Sequence, residues 1–520
     1  MNGMTLLDLV DGSVRKHPRK AMIEADGAIW SYGDVARASH RAAHLLESHG
    51  VAAGACVAVM SYNTPEFIVA MIAIWRRGAV LVPVNHKLVA AECRYIFDHC
   101  NAALILVADG LETVAAAAGH GAPILSLGRI GLHDIGVDDA DHSNPGDHAA
   151  PPMTADHPAQ ILYTSGTTGR PKGCVHSHRA IRNTAMLSAI AFSMTPAERT
   201  LIAMPIWHAA PLNNFCIATL FVGGTIVLLR DYHPQVFVRS LQDDRISLYF
   251  GAPVSFSLPL ALPGGLADYD FSSVRALVYG GGPIGAALSR QLADAYRTDR
   301  FFQVYGMTET GPGGTLLYPH EQQAKAGSIG RTSQPGTEMR VVRDDGADAI
   351  PGEVGEIWLR SESLMLGYRD DPAATAAAIV AGWYRTGDLA RVDADGYLFI
   401  VDRLKDMIIT GGENVYSREV EDALQEIDGV ADCAVIGVPH ESWGESVVAV
   451  LVPATGATLH HEAVRDALRD RLAAYKIPRR FIEAQALPRT PTGKVMKPAL
   501  RQMFAETGPP PIPTPRSGES

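Results

Sequence analysis

With 520 residues, of which 47% are hydrophobic and 19% charged, the chain is long enough for two or more domains with a sizeable core, and wholesale disorder is excluded. Its 45 lysines and arginines and 56 aspartates and glutamates give a formal net charge of −11, which argues against nucleic acid as a partner and against a polybasic membrane anchor. The six cysteines are scattered without a Cys-x-x-Cys pair, which is typical of a reducing cytosol and argues against a disulfide framework or a zinc site.

Neither a signal peptide nor a membrane span is predicted. No basic segment precedes the short apolar run near the N-terminus, so no secretory signal is predicted there. The stretch between Arg199 and Arg230 carries no formal charge, but prolines, asparagines and Gly223-Gly224 leave no unbroken apolar run of ~20 residues. This stretch is therefore predicted to contain buried strands and a helix, and the protein is predicted to be soluble and cytoplasmic.

Helical and strand patterns alternate up to about residue 130, as in an α/β layered domain. The spacing of apolar residues predicts helices over 34–49 and 65–77. Short apolar runs predict buried strands over 55–60, 80–84 and 103–107. Residues 134–158 are rich in Asp, His, Gly and Pro and are predicted to form a surface loop.

A glycine-rich stretch follows this loop. The apolar run 161–163 predicts a strand, which leads into a loop of Ser, Thr and Gly ending at Lys172, and a helix is predicted over 177–192. This order can hold phosphate, because glycines let backbone N–H groups turn inward and the lysine supplies a positive charge. The stretch lacks the Gly-Lys-Ser/Thr of the common P-loop, and by itself it is equally compatible with a polar surface turn.

Alternation resumes after this stretch and changes character near the C-terminus. Strands are predicted over 225–229, 248–250, 276–279, 355–360, 397–401, 434–438 and 447–452. Helices are predicted over 235–242, 418–427 and 462–475, with Ser417 as the N-cap of the second. The proline-rich end from Gly508 is predicted to be disordered.

A set of motifs in fixed order identifies the family. Besides the loop at 163–174, the sequence contains Tyr305-Gly306-Met307-Thr308-Glu309, Tyr384-Arg385-Thr386-Gly387-Asp388, Asp402-Arg403-Leu404-Lys405-Asp406, Gly411-Gly412-Glu413-Asn414 and Pro491-Thr492-Gly493-Lys494. In this order and rough spacing the chain resembles the adenylate-forming superfamily, which comprises acyl-CoA synthetases, adenylation domains and beetle luciferases. Each motif is weak alone, but the set is highly specific, and the resemblance extends from about Leu6 to Phe504.

The resemblance implies an α/β fold with a large multi-layer N-terminal domain of mixed sheets packed by helices, plus a small mobile α+β C-terminal domain. The implied limits are 1–402 for the large nucleotide- and acyl-binding domain, 403–507 for the small domain and 508–520 for a disordered tail. Lys405 matches the hinge about which the small domain swings in this family. Lys494 is expected to face ATP during adenylation. The swing is then expected to remove it and to bring Gly411 and Gly412 to the thiol tunnel, where the absence of side chains admits pantetheine.

The resemblance also implies a two-step reaction. A carboxylate attacks the α-phosphorus of ATP, pyrophosphate leaves, and a thiol then displaces AMP from the acyl-adenylate. Because two anions must meet, catalysis is mainly positioning and cationic stabilisation. ATP, Mg²⁺ and CoA as acceptor are therefore expected, with a small carboxylic acid as the other substrate.

Three residues are expected to act on the reacting groups. Lys494 would bridge the substrate carboxylate and the α-phosphate, Thr308 would touch the α-phosphate, and Glu309 would hold Mg²⁺. The remaining nucleotide and cofactor contacts implied by the motifs are Thr164, Ser165, Gly166, Thr167, Thr168, Gly169, Lys172, Gly281, Gly282, Tyr305, Gly306, Met307, Asp388, Arg403, Gly411, Gly412 and Glu413. Alternatives are left open for some of these residues. Glu309 and Lys494 could be solvated surface charges, Tyr305 an ordinary core tyrosine, and Asp388 and Arg403 a purely structural salt bridge.

The acyl pocket is expected at the ends of the central strands and in the segment after the phosphate-loop helix. Its predicted lining is Trp207, His208, Phe250, Gly251, Gly280 and the stretch from Tyr305 to Gly311. Residues 204–215 contain no Asp or Glu, so a substrate ammonium would lack a partner, and an uncharged acyl or aryl acid is favoured. His208 is a candidate catalytic or tunnel residue, with a satisfied core histidine as the alternative.

A carboxylic acid–CoA ligase, with a place in fatty acid metabolism, is the leading hypothesis. The first alternative is a stand-alone adenylation enzyme that loads the phosphopantetheine of a carrier protein supplied in trans. The second, from a different class, is a non-catalytic ATP-binding protein. The sequence leaves the identity of the acid and the oligomeric state open, with a homodimer among the possibilities.

Overall fold

A computed structural model describes residues 3–130, 153–164, 170–282, 284–411, 413–440, 442–469, 471–489 and 495–506. Several of the predicted features lie outside these ranges, namely the turn 165–169, Gly412, Lys494, most of the loop 134–158 and the tail 508–520. All other predicted site residues are described.

The chain divides into two compact units. The larger consists of Met1–Arg340, Trp358–Thr386 and Asp393–Phe399. The smaller consists of Val341–Ile357, Gly387–Val392 and Ile400–Ser520. The predicted boundary between a large domain ending at residue 402 and a small domain beginning at residue 403 stays a prediction.

Strands and helices alternate through most of the chain. In chain order the strands are β1 (Ala21–Ala25), β2 (Ala28–Ser31), β3 (Cys56–Met60), β4 (Val80–Val84), β5 (Ala102–Val107), β6 (Ile124–Ser126), β7 (Pro158–Thr164), β8 (Lys172–Ser177), β9 (Arg199–Ile202), β10 (Thr225–Leu228), β11 (Leu248–Gly251), β12 (Ala276–Gly280), β13 (Phe301–Gly306), β14 (Gly314–Leu317), β15 (Thr332–Ser333), β16 (Thr337–Val342), β17 (Val354–Ser361), β18 (Gly367–Tyr368), β19 (Ile379–Val380), β20 (Trp383–Val392), β21 (Leu398–Arg403), β22 (Ile408–Thr410), β23 (Glu413–Val415), β24 (Val430–His440), β25 (Gly444–Pro453) and β26 (Arg480–Glu483). The α-helices are α1 (Leu6–Lys16), α2 (Tyr32–Ser48), α3 (Pro65–Arg76), α4 (Ala90–Cys100), α5 (Glu112–Ala118), α6 (His178–Ala191), α7 (Ala218–Val222), α8 (Pro234–Asp243), α9 (Pro253–Ser257), α10 (Ala286–Tyr296), α11 (Pro372–Ala378), α12 (Ser417–Gln425), α13 (His461–Arg469) and α14 (Lys497–Glu506).

The first large sheet has the strand order β15-β14-β13-β12-β11-β9-β10-β1-β2. Its centre, from β13 through β12, β11, β9 and β10 to β1, is parallel, and the outer pairs β13–β14, β14–β15 and β1–β2 are antiparallel. Strands β10 and β12 are buried along their whole length, as expected for parallel strands covered on both faces. All carboxyl ends of these central strands therefore lie at one edge of the sheet.

The second large sheet has the order β18-β8-β7-β4-β3-β5-β6. Strands β7, β4, β3, β5 and β6 run parallel, whereas β8 is antiparallel to both β7 and β18. Helix α3 is buried on nearly every side, and the indole of Trp75 donates to the carbonyl of Ala159 in β7 at 3.2 Å. The apolar composition of α3 thus reflects its position in the core of the larger unit.

The smaller unit contains a sheet of order β23-β22-β25-β24, with β26 beside β25. Its core combines β22, β24, β25 and β26 with the apolar faces of α12 and α13. A further five-stranded sheet has the order β16-β17-β20-β19, with β21 beside β20.

Three predictions of local structure are wrong. The phosphate-binding stretch is not strand, loop and helix, because β8 lies between the loop and α6, and Lys172 is the first residue of that strand. The helix predicted over 462–475 ends at Arg469 and is followed by a separate 3₁₀ turn, Ala474–Lys476. Ser417 is not an N-cap, since Tyr416 occupies that position.

The stretch from Arg199 to Arg230, uncharged between these two arginines, forms β9, β10, α7 and a π-helix, Ala210–Ile217, as largely buried elements. Over the ranges that the structure describes, no helix combines the length and apolar character needed to cross a membrane.

Candidate active site

The predicted pocket residues meet at the carboxyl edge of the first large sheet. Strands β11, β12 and β13 end at Gly251, Gly280 and Gly306, and Gly280 is in register with Val304. In open α/β sheets ligands bind outside the carboxyl ends of the strands. The structure therefore brings the predicted acyl-pocket and nucleotide-binding residues of these strands to the place where a ligand is expected.

The neighbours of Gly280 leave little room for a side chain. A Cβ there would lie 3.0 Å from Cγ2 of Val304 and 3.1 Å from Cε2 of Phe250. Phe250 is half-buried and stacks on Phe215 of the π-helix, with ring centroids 4.7 Å apart. Gly280 thus leaves space for the Phe250 ring, which pairs with Phe215 near the strand ends.

Glu309 lies in a 3₁₀ turn, Thr308–Thr310, directly after β13. Only 7% of the residue is exposed, and its Oε1 accepts a hydrogen bond from the Tyr368 hydroxyl at 3.0 Å. The turn is also held by the amide of Met365, which donates to the Glu309 carbonyl at 2.9 Å. The alternative of a solvated surface charge is therefore excluded for Glu309.

The surroundings of Glu309 fit a magnesium ion that is held mainly by phosphate oxygens. Within the described ranges Glu309 forms no ion pair, and no cluster of three or more His, Cys, Asp or Glu side chains could hold a metal by itself. Mg²⁺ prefers oxygen ligands and is often bound by one or two carboxylates together with substrate phosphates. A single buried carboxylate with a neutral hydrogen-bond donor matches that requirement.

The β7–β8 hairpin carries the predicted phosphate-binding residues. Thr164 and Lys172 lie opposite each other in its register. The Lys172 ammonium lies over the ring of Tyr368, 4.8 Å from its centroid. Since Tyr368 is also the hydrogen-bond donor to Glu309, the structure joins the first two family motifs through one aromatic side chain that the sequence analysis did not single out.

One thiol and two phenol groups near Glu309 stay protonated, and therefore neutral, at physiological pH. Burial raises the pKa of the Cys174 thiol well above its usual range, and the nearby Glu309 charge acts in the same direction. Burial likewise raises the pKa values of Tyr368 and Tyr384. Both hydroxyls therefore remain protonated and can donate hydrogen bonds.

A second group of predicted residues lies after β9. Trp207 and His208 are half-buried, and their ring centroids are 3.7 Å apart. The Trp207 indole donates to Nδ1 of His86 at 3.3 Å, and the His86 ring lies 4.6 Å from that of Tyr62. His86 and Tyr62 were missed from the sequence, although both follow the carboxyl ends of parallel strands, β4 and β3.

The predicted ribose-binding pair is formed within the smaller unit. Arg403 Nε lies 3.1 Å from Asp388 Oδ1, and the Asp388 side chain is 8% exposed. The backbone around Asp388 is fixed, because the Gly387 amide donates to Glu356 Oε1 at 3.0 Å and the Leu404 amide donates to the Gly387 carbonyl at 2.7 Å. The structure thus contains the structural ion pair, while its ribose-binding role stays a prediction.

The hinge and glycine motifs also lie in the smaller unit. Burial lowers the pKa of Lys405, and neighbouring Arg403 acts in the same direction. Gly411 has a φ of +61°, and a Cβ there would lie 2.8 Å from Cε3 of Trp443. Its amide donates to the Trp443 carbonyl at 2.8 Å, and Glu413 is an exposed residue at the start of β23. A side chain at position 411 would therefore displace the tryptophan.

The chain matches two family models of AMP-binding enzymes. A family model with that description matches residues 10–369, and a second, described as AMP-binding enzyme C-terminal domain, matches residues 419–494. The chain therefore belongs to the AMP-binding enzyme family, and the resemblance to adenylate-forming enzymes is confirmed.

Particular relatives include acid–CoA ligases of similar length. The chain is 37% identical to the feruloyl-CoA synthase of an Amycolatopsis species, over 94% of this chain and 97% of that one. It is 35% identical to the indoleacetate–CoA ligase of Aromatoleum aromaticum, over 96% and 98% of the two chains. The structure of ATP-bound MatB from Rhodopseudomonas palustris superposes with a TM-score of 0.84 at 30% identity, over 97% of this chain and all of that one (100%).

Proposed function

We propose that the chain is an ATP-dependent carboxylic acid–CoA ligase, which forms an acyl-adenylate and transfers the acyl group to CoA. The observation that carries this proposal is the arrangement of Glu309, Tyr368 and Lys172 at the carboxyl edge of the parallel strands. In this arrangement the Glu309 carboxylate can hold a divalent cation and the Lys172 ammonium can bind phosphate oxygens. The chain also belongs to a family described as AMP-binding enzymes.

In the first half-reaction a carboxylate oxygen of the acid bonds to the α-phosphorus of ATP, and the bond to pyrophosphate breaks. Lys172 and the hydroxyls of the 164–168 segment would hold the leaving phosphates, and Thr308 would donate to an α-phosphate oxygen. A magnesium ion held at Glu309 would neutralise phosphate charge when bound. Lys494 is proposed, from the family motif, to stabilise the charge that develops as the two anions meet.

In the second half-reaction the CoA sulfur bonds to the acyl carbon, and AMP leaves with the electron pair of the broken anhydride bond. Gly411 and Gly412 are proposed to pass the pantetheine arm, and Lys405 to mark the hinge between the two half-reactions. The crowding at Gly411 explains the glycine locally, since a side chain there would displace Trp443, and the proposed pantetheine role rests on the family motif.

The Asp388–Arg403 pair is proposed to bind the ribose hydroxyls. Asp388→Asn is expected to raise KM for ATP about tenfold or more with a smaller change in kcat, because an amide is a weaker acceptor than a carboxylate. Pyrophosphate-exchange kinetics at varied ATP measure the effect. Glu426→Gln is the matched control, since it removes a carboxylate from an exposed pair with Arg471 at 2.7 Å in the same unit. An unchanged KM in Asp388→Asn would contradict the assignment.

We further propose that the acid is uncharged beyond its reacting carboxylate and carries an aromatic group. The half-buried Phe250 ring, backed by the buried Phe215, offers an aromatic surface at the end of β11, and segment 204–215 has no carboxylate for a substrate ammonium. The names of the feruloyl and indoleacetate relatives point in the same direction. Fatty acids are therefore proposed as weaker substrates.

We also propose a cytoplasmic location, which the six free, buried cysteines support.

Acid-dependent ATP–pyrophosphate exchange tests the proposal. The panel contains hydroxycinnamic, indoleacetic and benzoic acids, fatty acids of increasing length and amino acids, each with and without CoA. We expect exchange with an aryl acid without CoA and an acyl-CoA product by mass spectrometry when CoA is present. Adenylation without a CoA product would favour a carrier protein as acceptor, and no exchange with any acid would favour a non-catalytic ATP-binding protein.

A further inference from the structure

Lys172 and Glu309 both contact Tyr368, through different parts of its side chain. The ammonium of Lys172 lies over the ring, 4.8 Å from the centroid, and the hydroxyl donates to Glu309 Oε1 at 3.0 Å. The three side chains thus form a row in the order cation, aromatic ring, carboxylate.

Opposite charges that contact the same side chain can form a direct ion pair, especially where burial weakens competition from water. Of the residues that the structure describes, none forms an ion pair with Lys172 or with Glu309. A ring face and a hydroxyl are weaker partners for these charges than each charge would be for the other. Tyr368 therefore occupies the position through which a Lys172–Glu309 pair would otherwise form.

The backbone fixes Tyr368 in this position. Strand β18 pairs with β8 so that Tyr368 is in register with Cys174, and the Tyr368 amide donates to the Thr375 hydroxyl at 2.9 Å. Two residues before β18, the Met365 amide is bonded to the Glu309 carbonyl at 2.9 Å. The same short segment is thus attached both to the hairpin that carries Lys172 and to the turn that carries Glu309.

We infer that Tyr368 is a positioning residue that holds Lys172 and Glu309 apart. The separation leaves the ammonium open to phosphate oxygens and the carboxylate open to a divalent cation, instead of letting the two charges neutralise each other. This inference rests on the proposed function, because it assigns Glu309 to the cation and Lys172 to the phosphates of ATP.

The test measures binding of Mn²⁺ and a non-hydrolysable ATP analogue to the full chain by electron paramagnetic resonance and calorimetry. Tyr368→Phe keeps the ring over Lys172 and removes the hydroxyl, so we expect the Mn²⁺ affinity in the presence of the analogue to fall about tenfold. Tyr368→Leu also removes the ring, so we expect a larger loss that includes the affinity for the analogue without metal. The leucine variant also serves as the second test should the phenylalanine variant not fold.

Tyr397→Phe is the matched control. Its hydroxyl donates to Oε1 of the buried Glu321 at 2.7 Å, so the change removes a tyrosine–glutamate hydrogen bond of the same kind away from the site. We expect this variant to keep wild-type Mn²⁺ affinity. Thermal unfolding of both phenylalanine variants measures what each hydroxyl contributes to stability alone.

A double-mutant cycle separates positioning from a general effect on the fold. In a Glu309→Gln background, Tyr368→Phe is expected to change Mn²⁺ affinity less than twofold, since the carboxylate that it orients is gone. Equal losses in both backgrounds, or wild-type Mn²⁺ affinity in Tyr368→Phe, would overturn the inference. Because the readout is binding, a chain that fails to adenylate any acid would refute the proposed function and leave this result standing.

Discussion

Replacing Lys494 with alanine is expected to slow acyl-adenylate formation by ~10²-fold or more, because the transition state would lose a positive charge placed where negative charge develops. Thioester formation from pre-made acyl-adenylate and CoA should stay within about threefold of the wild type, since the swing of the small domain is expected to take Lys494 out of the site for that step. The comparison is made by single-turnover kinetics of each half-reaction, with the same enzyme preparation in both.

Lys16→Ala is the control for the loss of a lysine, because Lys16 is exposed in the last turn of α1 and should leave both half-reactions unchanged. Equal damage to both half-reactions in Lys494→Ala would refute the division of labour between them. It would mean that the lysine supports the fold or the binding of a ligand common to both steps.

Glu309→Gln is expected to lower the rate of adenylation by ~10²-fold and to raise the Mg²⁺ concentration needed for half-maximal rate. The amide is nearly the same size and can still accept the Tyr368 hydroxyl, so the principal loss is the negative charge toward the cation. Exchange rates measured over a range of Mg²⁺ at fixed ATP separate these two effects.

Glu321→Gln is the matched control for this substitution. Glu321 is also buried and also accepts a tyrosine hydroxyl, that of Tyr397. We expect the control to change stability but not the Mg²⁺ dependence. If Glu309→Gln keeps the wild-type Mg²⁺ dependence, Glu309 does not hold the cation.

The long apolar elements could be predicted because burial dictates their sequence. Helix α3 and strand β4 were predicted to within one residue, and each is almost wholly apolar. Strand β8 was missed because Lys-Gly-Cys-Val-His-Ser has little strand character of its own, and its extended form depends on pairing with β7 and β18. Ser417 was misassigned because its hydroxyl donates to the Asp402 carboxylate at 2.7 Å and does not cap its own helix.

Residues of the candidate site could be predicted only where they belong to a sequence motif. Glu309 and Lys172 stand out because both belong to such motifs, and the confirmed family supports that interpretation. Tyr368 follows Glu309 by 59 residues, and only the pairing of β18 with β8 brings it to both charges. His86 was missed for the same reason, since its contact with Trp207 spans 121 residues.

Oxygen transfer from the acid to AMP is the most direct test of the central claim. When the acid carries ¹⁸O in its carboxylate, attack on the α-phosphorus must leave one labelled oxygen in the released AMP, which mass spectrometry detects. We predict singly labelled AMP in equal amount to acyl-CoA. Label in inorganic phosphate, or AMP without label while acyl-CoA accumulates, would contradict adenylation by this chain.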